Sequence, residues 1–308
     1  MKISEIIKSS KTAYPSLEIV PPLNGITKDE LIEQVKPFME FDPKYINVTC
    51  HRDEFEFREQ PDGTFKKFLV RNRISEVTVC AAIKSAFGIL TVPHIICGGS
   101  SKEAIESELY NLQFLGIHNV FALRGDPAAG EKRFTPADNG YAHANELVEG
   151  IREFDRERGA DFCIGVAAYP EKHAEAPNLD TDILNLKKKV DAGADYIITQ
   201  MFFDNKVFYD FEAKCRQAGI TVPIIPGLKP ISTKKHIELL PQSFSLDIPS
   251  ELTDQINAAG DDKNAIYEIG AEWCKAQCKD LIAHGVPAVH FYTMGKAKNI
   301  VGILKDCF

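Results

Sequence analysis

Glu18 stands inside an apolar run, Leu17-Glu18-Ile19-Val20, where a carboxylate is costly to bury without a partner. A carboxyl group so placed either has a raised pKa and serves as an acid near neutral pH, or belongs to a buried ion pair. The residues alone weigh the two evenly. Asp126 follows Arg124-Gly125 directly after another apolar run. A glycine there lets backbone approach a flat ligand such as a cofactor ring, although a turn or N-cap aspartate accounts better for an isolated Arg-Gly-Asp. Gln200 ends the run Ile197-Ile198-Thr199-Gln200 and offers a heterocycle one donor and one acceptor, or simply caps neighbouring backbone. Thr49, His94, Tyr169 with His173, and Tyr292 sit at similar run ends. Asp182, Asn185 and Lys189, spaced i, i+3, i+7, share one helical stripe beside apolar Ile183, Leu186 and Val190. Acceptor, amide and cation together suit a ribose and diphosphate, and a solvated helix face, the commoner case, has the same pattern.

These residues need elements to hold them. The apolar runs are Leu17–Val20, Tyr45–Thr49, Ile89–Ile96, Val120–Leu123, Phe162–Ala168, Tyr196–Phe203, Ile224–Leu228 and Val289–Tyr292. They are continuous and β-branched, as parallel strands covered on both faces are. Between them lie helical patterns. Thr27 with Glu30 predicts a capping box opening a helix to Phe41, and Ser100 with Glu103 another before Ile105–Leu115. Further helices are predicted at Ile74–Phe87, Asn145–Gly159, Asp182–Ala192, Lys206–Ala218, Lys234–Leu240 and Asn264–His284. Strand and helix alternating in this way predict an α/β fold, a single (β/α)8 TIM-type barrel domain over residues 1–308. An open doubly wound sheet would follow its first strand with a glycine-rich phosphate turn, and Glu-Ile-Val-Pro-Pro cannot form one. In a barrel, polar residues at the C-terminal strand ends line the site. The long charged segment 51–73 predicts a hairpin insertion around Pro61-Asp62-Gly63, a lid or a subunit contact, and the loop Pro127–Tyr141 is a second candidate lid.

A net charge of -8 gives no reason to expect nucleic acid or an acidic membrane surface as partner. No stretch reaches the roughly 20 apolar residues of a membrane span, and the charged N-terminus lacks the apolar run of a signal peptide. The eight cysteines are scattered, mostly within apolar patterns. Cys274 and Cys278 share a helix face without a second ligand pair, so core thiols, no metal site and a reducing, cytoplasmic setting are expected.

Several segments, in order along nearly the whole chain, resemble the methylenetetrahydrofolate reductase family. They are Leu17-Glu18-Ile19-Val20-Pro21-Pro22, Asn47-Val48-Thr49, Pro93-His94, Ala122-Leu123-Arg124-Gly125-Asp126-Pro127, Ala167-Ala168-Tyr169-Pro170-Glu171-Lys172-His173, Asp182–Gly193, Ile197–Phe203, Ile225-Pro226-Gly227 and His290-Phe291-Tyr292-Thr293. The resemblance implies a catalytic barrel that binds FAD without a Gly-x-Gly-x-x-Gly fingerprint. NADH or NADPH reduces the flavin and leaves, and methylenetetrahydrofolate then takes the same face and is reduced to methyltetrahydrofolate for methionine synthesis. Glu18 matches the general acid, and Asp126 a residue serving flavin and folate. Gln200 matches a contact to folate and nicotinamide. The resemblance further places His236, Leu240 and Lys296 with Asp126 and Gln200 at the substrate. It assigns Thr49, His94, Leu123, Arg124, Gly125, Asp126, Tyr141, Ala142, Tyr169, His173, Asp182, Asn185, Lys188, Lys189 and Tyr292 to the cofactor. A homo-oligomer is expected.

Some positions depart from the family pattern. Cys50-His51-Arg52 replaces a short aromatic or glycine-containing segment and opens the long charged segment 51–73. Lys296 stands for an arginine and loses its forked geometry, and Leu240 stands where some members carry an aromatic. The regulatory domain appended in eukaryotic members, responsive to S-adenosylmethionine, is not expected. Two rivals remain. One is a flavin-free barrel lyase or isomerase using Glu18 as base, and it predicts a colourless protein. The other is a non-catalytic flavin- or folate-binding subunit, which predicts a yellow protein that does not oxidise NADH.

Overall fold

Along the first strand Tyr14, Ser16 and Glu18 alternate with Leu17 and Ile19, and this period of two decides what faces the barrel interior and what faces the helices. The computed structural model describes every residue except Ala129 and residues 294–297. Its parallel strands are β1 (Tyr14–Ile19), β2 (Tyr45–Val48), β5 (Leu90–Ile96), β6 (Asn119–Leu123), β7 (Cys163–Ala168), β8 (Tyr196–Met201), β9 (Ile224–Leu228) and β10 (Ala288–Tyr292), and β3 (Glu54–Glu59) and β4 (Phe65–Val70) form a separate antiparallel pair. The parallel strands close in the order β1-β10-β9-β8-β7-β6-β5-β2, the expected (β/α)8 barrel. The helices are α1 (Ile3–Ser9), α2 (Lys28–Val35), α3 (Glu76–Phe87), α4 (Lys102–Phe114), α5 (Ala144–Arg158), α6 (Leu179–Asp191), α7 (Asn205–Gln217), α8 (His236–Phe244), α9 (Ser250–Ala258), α10 (Lys263–His284) and α11 (Lys298–Cys307). Among the described residues no helix is long and apolar enough to cross a membrane.

The core has three parts. Outward strand residues such as Leu17, Ile46, Val120 and Ile197 pack with helix residues such as Val35, Ile83, Leu112 and Phe211. Inside the barrel, Tyr14, Tyr45, Val92, Phe121, Tyr196, Ile198 and Ile225 fill the N-terminal half, and Ile3, Ile6 and Ile7 of α1 pack against them. Gly165 belongs to this layer, because a Cβ there would lie 2.4 Å from the Tyr196 ring and 2.5 Å from Phe121. A third cluster joins Met201, Phe203, Leu240, Leu252 and Ile266. Cys274 and Cys278 are buried in α10.

Several element boundaries differ from the sequence reading. The Thr27 capping box forms, with Thr27 N–H donating to Glu30 Oε2 at 2.7 Å and Glu30 N–H to Thr27 Oγ1 at 3.3 Å. The α-helix nevertheless stops at Val35, and Lys36–Phe41 is a 3-10 helix with Pro37 in its first turn. We expect Thr27→Ala to cost about 1 kcal/mol in urea unfolding; an unchanged midpoint would show the box to be inert. Ser101, not Ser100, caps α4, its Oγ accepting from Ala104 N–H. Asn178 caps α6 four residues before Asp182, its Oδ1 accepting from Thr181 N–H. The sequence reading did not include α1, α9 or α11.

Segment 51–73 is a hairpin. Its turn is closed by Gln60 N–H to Thr64 O (2.7 Å), with Asp62 Oδ1 accepting from Thr64 N–H (3.0 Å). Its base is tied by the Arg71–Asp53 fork (2.8 and 3.0 Å) and by Arg73 donating to Pro21 O (2.7 Å). Phe55, Phe57 and Phe65 are exposed on it.

Candidate active site

The strand register sets the neighbours of Glu18: Asn47 on β2 to one side and Tyr292 on β10 to the other. Its side chain is 13% exposed, and Oε2 lies 3.8 Å from His94 Nε2 and 4.0 Å from His290 Nε2. Both separations exceed hydrogen-bond length. Burial pushes Glu18 up to about 8, against the pull of the Lys229 charge. Burial also pushes His94 down to about 3, helped by His51, and His290 down to about 3, helped by His94. At neutral pH the contacts are therefore between an un-ionised carboxyl and two neutral imidazoles, not ion pairs. Thr293 Oγ1 donates to Glu18 O (2.6 Å), fixing the strand end, and His290 Nδ1 lies 2.9 Å from Ser16 Oγ. Tyr292 donates to Thr199 O (2.7 Å) across Gly227.

A second group surrounds the end of β6. Backbone pairing with β5 continues past the strand through Cys97 N–H to Leu123 O (3.1 Å) and Gly98 N–H to Arg124 O (3.0 Å). Gly125 then turns at φ +83°, a conformation that side chains rarely adopt, and a Cβ there would stand 3.3 Å from Ile96 Cβ, a tight contact. Asp126 beyond it is exposed. Arg124 makes a forked ion pair with Glu175 (2.6 and 3.0 Å) and lies 5.0 Å over the Phe134 ring. The Tyr169 ring meets His173 edge-on at 4.7 Å. His173 N–H donates to Asp182 Oδ2 (2.9 Å), and His173 Nδ1 accepts from Glu175 N–H (3.1 Å). Burial holds His173 below its ordinary value and lifts Tyr169 to about 12. Lys189 donates to Ala167 O (2.9 Å); burial, with the Arg124 charge, brings it down to about 8 although Asp182 opposes. On the α6 stripe Lys188 donates to Asn185 Oδ1 (3.1 Å).

The remaining predicted residues fall as follows. Thr49 Oγ1 lies 3.4 Å from His51 Nδ1. Leu123 is half-buried at the end of β6. Gln200 is half-buried, with Oε1 accepting from Met201 N–H (3.0 Å) where the β8–β9 register shifts. His236 Nδ1 accepts from Ser232 N–H (3.3 Å). Leu240 is turned into the third core cluster, 6% exposed, with Tyr292 packed against that cluster. The Tyr141 ring lies against Gly150 of α5, and Ala142 N–H donates to Glu146 Oε2 (2.8 Å). Lys296 lies outside the described residues.

Glu18, His94 and Tyr292 thus share one compartment, and Arg124, Tyr169, His173, Asp182 and Lys189 another. Sequence reasoning missed Ser16, Asn47, Lys229 and His290 around Glu18, and Glu175 beside Arg124. The signal for the first group was the strand pleat: Ser16 precedes Glu18 by two residues, His290 precedes Tyr292 by two, and Lys229 follows Gly227 by two.

The family model for methylenetetrahydrofolate reductase matches residues 2–307. The chain is 33% identical over 314 residues to methylenetetrahydrofolate reductase (NADH) 1 of Arabidopsis thaliana, covering 99% of this chain and 50% of that protein. It is 31% identical over 285 residues to the 5,10-methylenetetrahydrofolate reductase of Escherichia coli (strain K12), covering 92% of this chain and 86% of that one. It therefore spans about half the length of the plant relatives it matches. Among solved structures, an uncharacterized protein from Clostridium thermocellum that binds two copies of 5-methyl-5,6,7,8-tetrahydrofolic acid superposes with TM-score 0.63 at 15% identity, covering 99% of this chain and 98% of that chain. A 2,3-dimethylmalate lyase superposes with TM-score 0.53 at 9% identity, covering 98% of this chain and 82% of that one. Both likenesses are of fold alone, so the barrel by itself does not separate a reductase from a lyase.

Proposed function

The chain belongs to the methylenetetrahydrofolate reductase family, and from this we propose that it reduces 5,10-methylenetetrahydrofolate to 5-methyltetrahydrofolate with NADH or NADPH, using FAD. The observation that carries this reading is the Glu18 carboxyl, buried at the barrel mouth beside His94 and His290 and pushed by that burial up to about 8. Opening the methylene bridge to an iminium ion requires a proton for the departing nitrogen. A carboxyl group that keeps its proton to about pH 8 supplies one at neutral pH. Asp126, exposed after the Gly125 turn, is assigned to both cofactor and folate, and Gln200 to folate and nicotinamide.

The second compartment fits FAD. Arg124 and Lys189 repel one another across it, and burial already works against the lysine's charge. A diphosphate would relieve that repulsion. The positive φ of Gly125 leaves bare backbone that a flat ring would be able to approach. Lys188, Asn185 and Asp182 on α6, with Thr49, Leu123, Tyr141, Ala142, Tyr169 and His173, belong to the assigned set, as do His94 and Tyr292 from the Glu18 compartment. When bound, FAD supplies the hydride carrier between nicotinamide and folate. The chain's own part is to hold Arg124 rigid through Glu175, to keep Glu18 protonated, and to orient the substrate amide contacts.

The experiment is anaerobic. NADH should bleach the flavin absorbance of the purified protein, and methylenetetrahydrofolate should then restore it. A colourless protein, or a flavin that stays bleached after the folate is added, would overturn the reading.

A further inference from the structure

Among the described residues, four titratable or charged groups face the Glu18 carboxyl: His94 from β5, Lys229 from the end of β9, and His290 and Tyr292 from β10. His290 is held from behind. Ser16 precedes Glu18 by two residues on the same inward face of β1, is the register partner of His290, and brings its Oγ to 2.9 Å from Nδ1. Ser16 and His290 are 0% and 1% exposed, so water does not compete for that bond. His94, by contrast, lies by its ring against Phe121, at 5.0 Å.

A neutral imidazole has one N–H and one lone pair, and the bond made at one nitrogen decides what the other offers. A serine hydroxyl can play either part. An un-ionised buried carboxyl, however, carries an O–H that is costly to leave without an acceptor. That need is met if Nδ1–H donates to Ser16 Oγ, leaving the bare Nε2 toward Glu18 Oε2. The 4.0 Å separation is roughly 1 Å beyond hydrogen-bond length.

We propose that Ser16 and His290 are positioning residues for Glu18: Ser16 fixes the imidazole tautomer, and the Nε2 lone pair so presented toward the Glu18 carboxyl favours its protonated form, a shift of about 1 Å sufficing for the carboxyl to donate to it. The inference deepens the reading of Glu18 as the acid of folate reduction and rests on it. The Lys229 charge acts in the opposite sense, so the two influences bracket the carboxyl from different strands.

The test follows the carboxyl itself. Protein carrying carbon-13 at the glutamate carboxyl is titrated by NMR, with the Glu18 signal assigned by its loss in Glu18→Gln. In Ser16→Ala and in His290→Phe the Glu18 midpoint should fall by about one pH unit, a tenfold change in its proton affinity. Ser16→Thr, which keeps the hydroxyl, should restore it. The pH above which folate reduction declines should move down by the same amount. A midpoint in Ser16→Ala that stays at the wild-type value, or rises, overturns the proposal, and this small variant decides the matter if His290→Phe does not fold. If the NMR midpoint falls but the limb of folate reduction does not follow, the positioning role stands and the role proposed for Glu18 fails.

Discussion

Glu18→Gln should bind FAD and accept electrons from NADH at the wild-type rate, yet lose about 10²- to 10⁴-fold in the rate of methylenetetrahydrofolate reduction, the usual worth of a positioned general acid. The two half-reactions separate because reduction of the flavin by a nicotinamide needs no proton from this carboxyl, whereas opening the methylene bridge does. Glutamine is the sharp substitution, since it keeps the shape and the half-buried polar tip and removes only the transferable proton. The same argument fixes a pH dependence. Glu18 is raised to about 8, principally by burial, so it is protonated below that value and loses its proton above it. Folate reduction in the native protein should therefore be flat through neutrality and decline above about pH 8, while flavin reduction shows no limb there. Stopped-flow measurement of each half-reaction across pH checks both expectations. If Glu18→Gln impairs flavin reduction as much as folate reduction, Glu18 is part of the flavin site and not the acid.

The barrel could be read from the chain because each of its strands is a continuous apolar run, and such runs arise when both faces of a strand are covered. What escaped was shorter or less apolar. Helix α1 spans only two turns, and Ile3, Ile6 and Ile7 become meaningful once a barrel floor exists for them to cover. Helices α9 and α11 lie where the sequence reading placed no helical pattern. At α4 two adjacent serines compete for one cap, and the choice falls to Ser101 through its bond to Ala104 N–H. The site shows the same division. Glu18 stands inside an apolar run, Arg124 and Gln200 end theirs, and all three so attract notice, whereas Ser16 and His290 sit one pleat deeper, where their partner across the strands cannot be read. Glu175 lies 51 residues from Arg124, and no local pattern joins them. Leu240, assigned to the substrate by resemblance, is turned into a core cluster on which Tyr292 also packs.

Gly227 connects this packing to the chemistry, and Gly227→Ala should be the most damaging single methyl group in the barrel mouth. A Cβ at this position would stand 2.3 Å from Thr199 O and 2.7 Å from Tyr292 Cε2. The first obstacle is backbone that cannot rotate away, since Gly227 N–H already donates to Thr199 Oγ1 (3.0 Å) and Thr199 O accepts from Tyr292 (2.7 Å). Relief requires β8 and β9 to part where their register already shifts, between Ile198 and Met201, beside Gln200. Overpacking of this kind costs about 1–3 kcal/mol. The displaced groups are Tyr292, which neighbours Glu18 in the strand register, and the strand end that carries Gln200. Folate reduction should therefore fall further than flavin reduction. Gly302→Ala is the matched control: nothing lies within 4 Å of its Cβ position, and α11 surrounds it, so a gain of about 0.5–1 kcal/mol is expected from helix propensity. Urea unfolding of both variants, with the two half-reactions measured on each, gives the comparison. If Gly227→Ala melts with the native protein and reduces folate normally, β8 and β9 have slack at the mouth, and the close packing of Thr199, Gly227 and Tyr292 does not hold the site in shape.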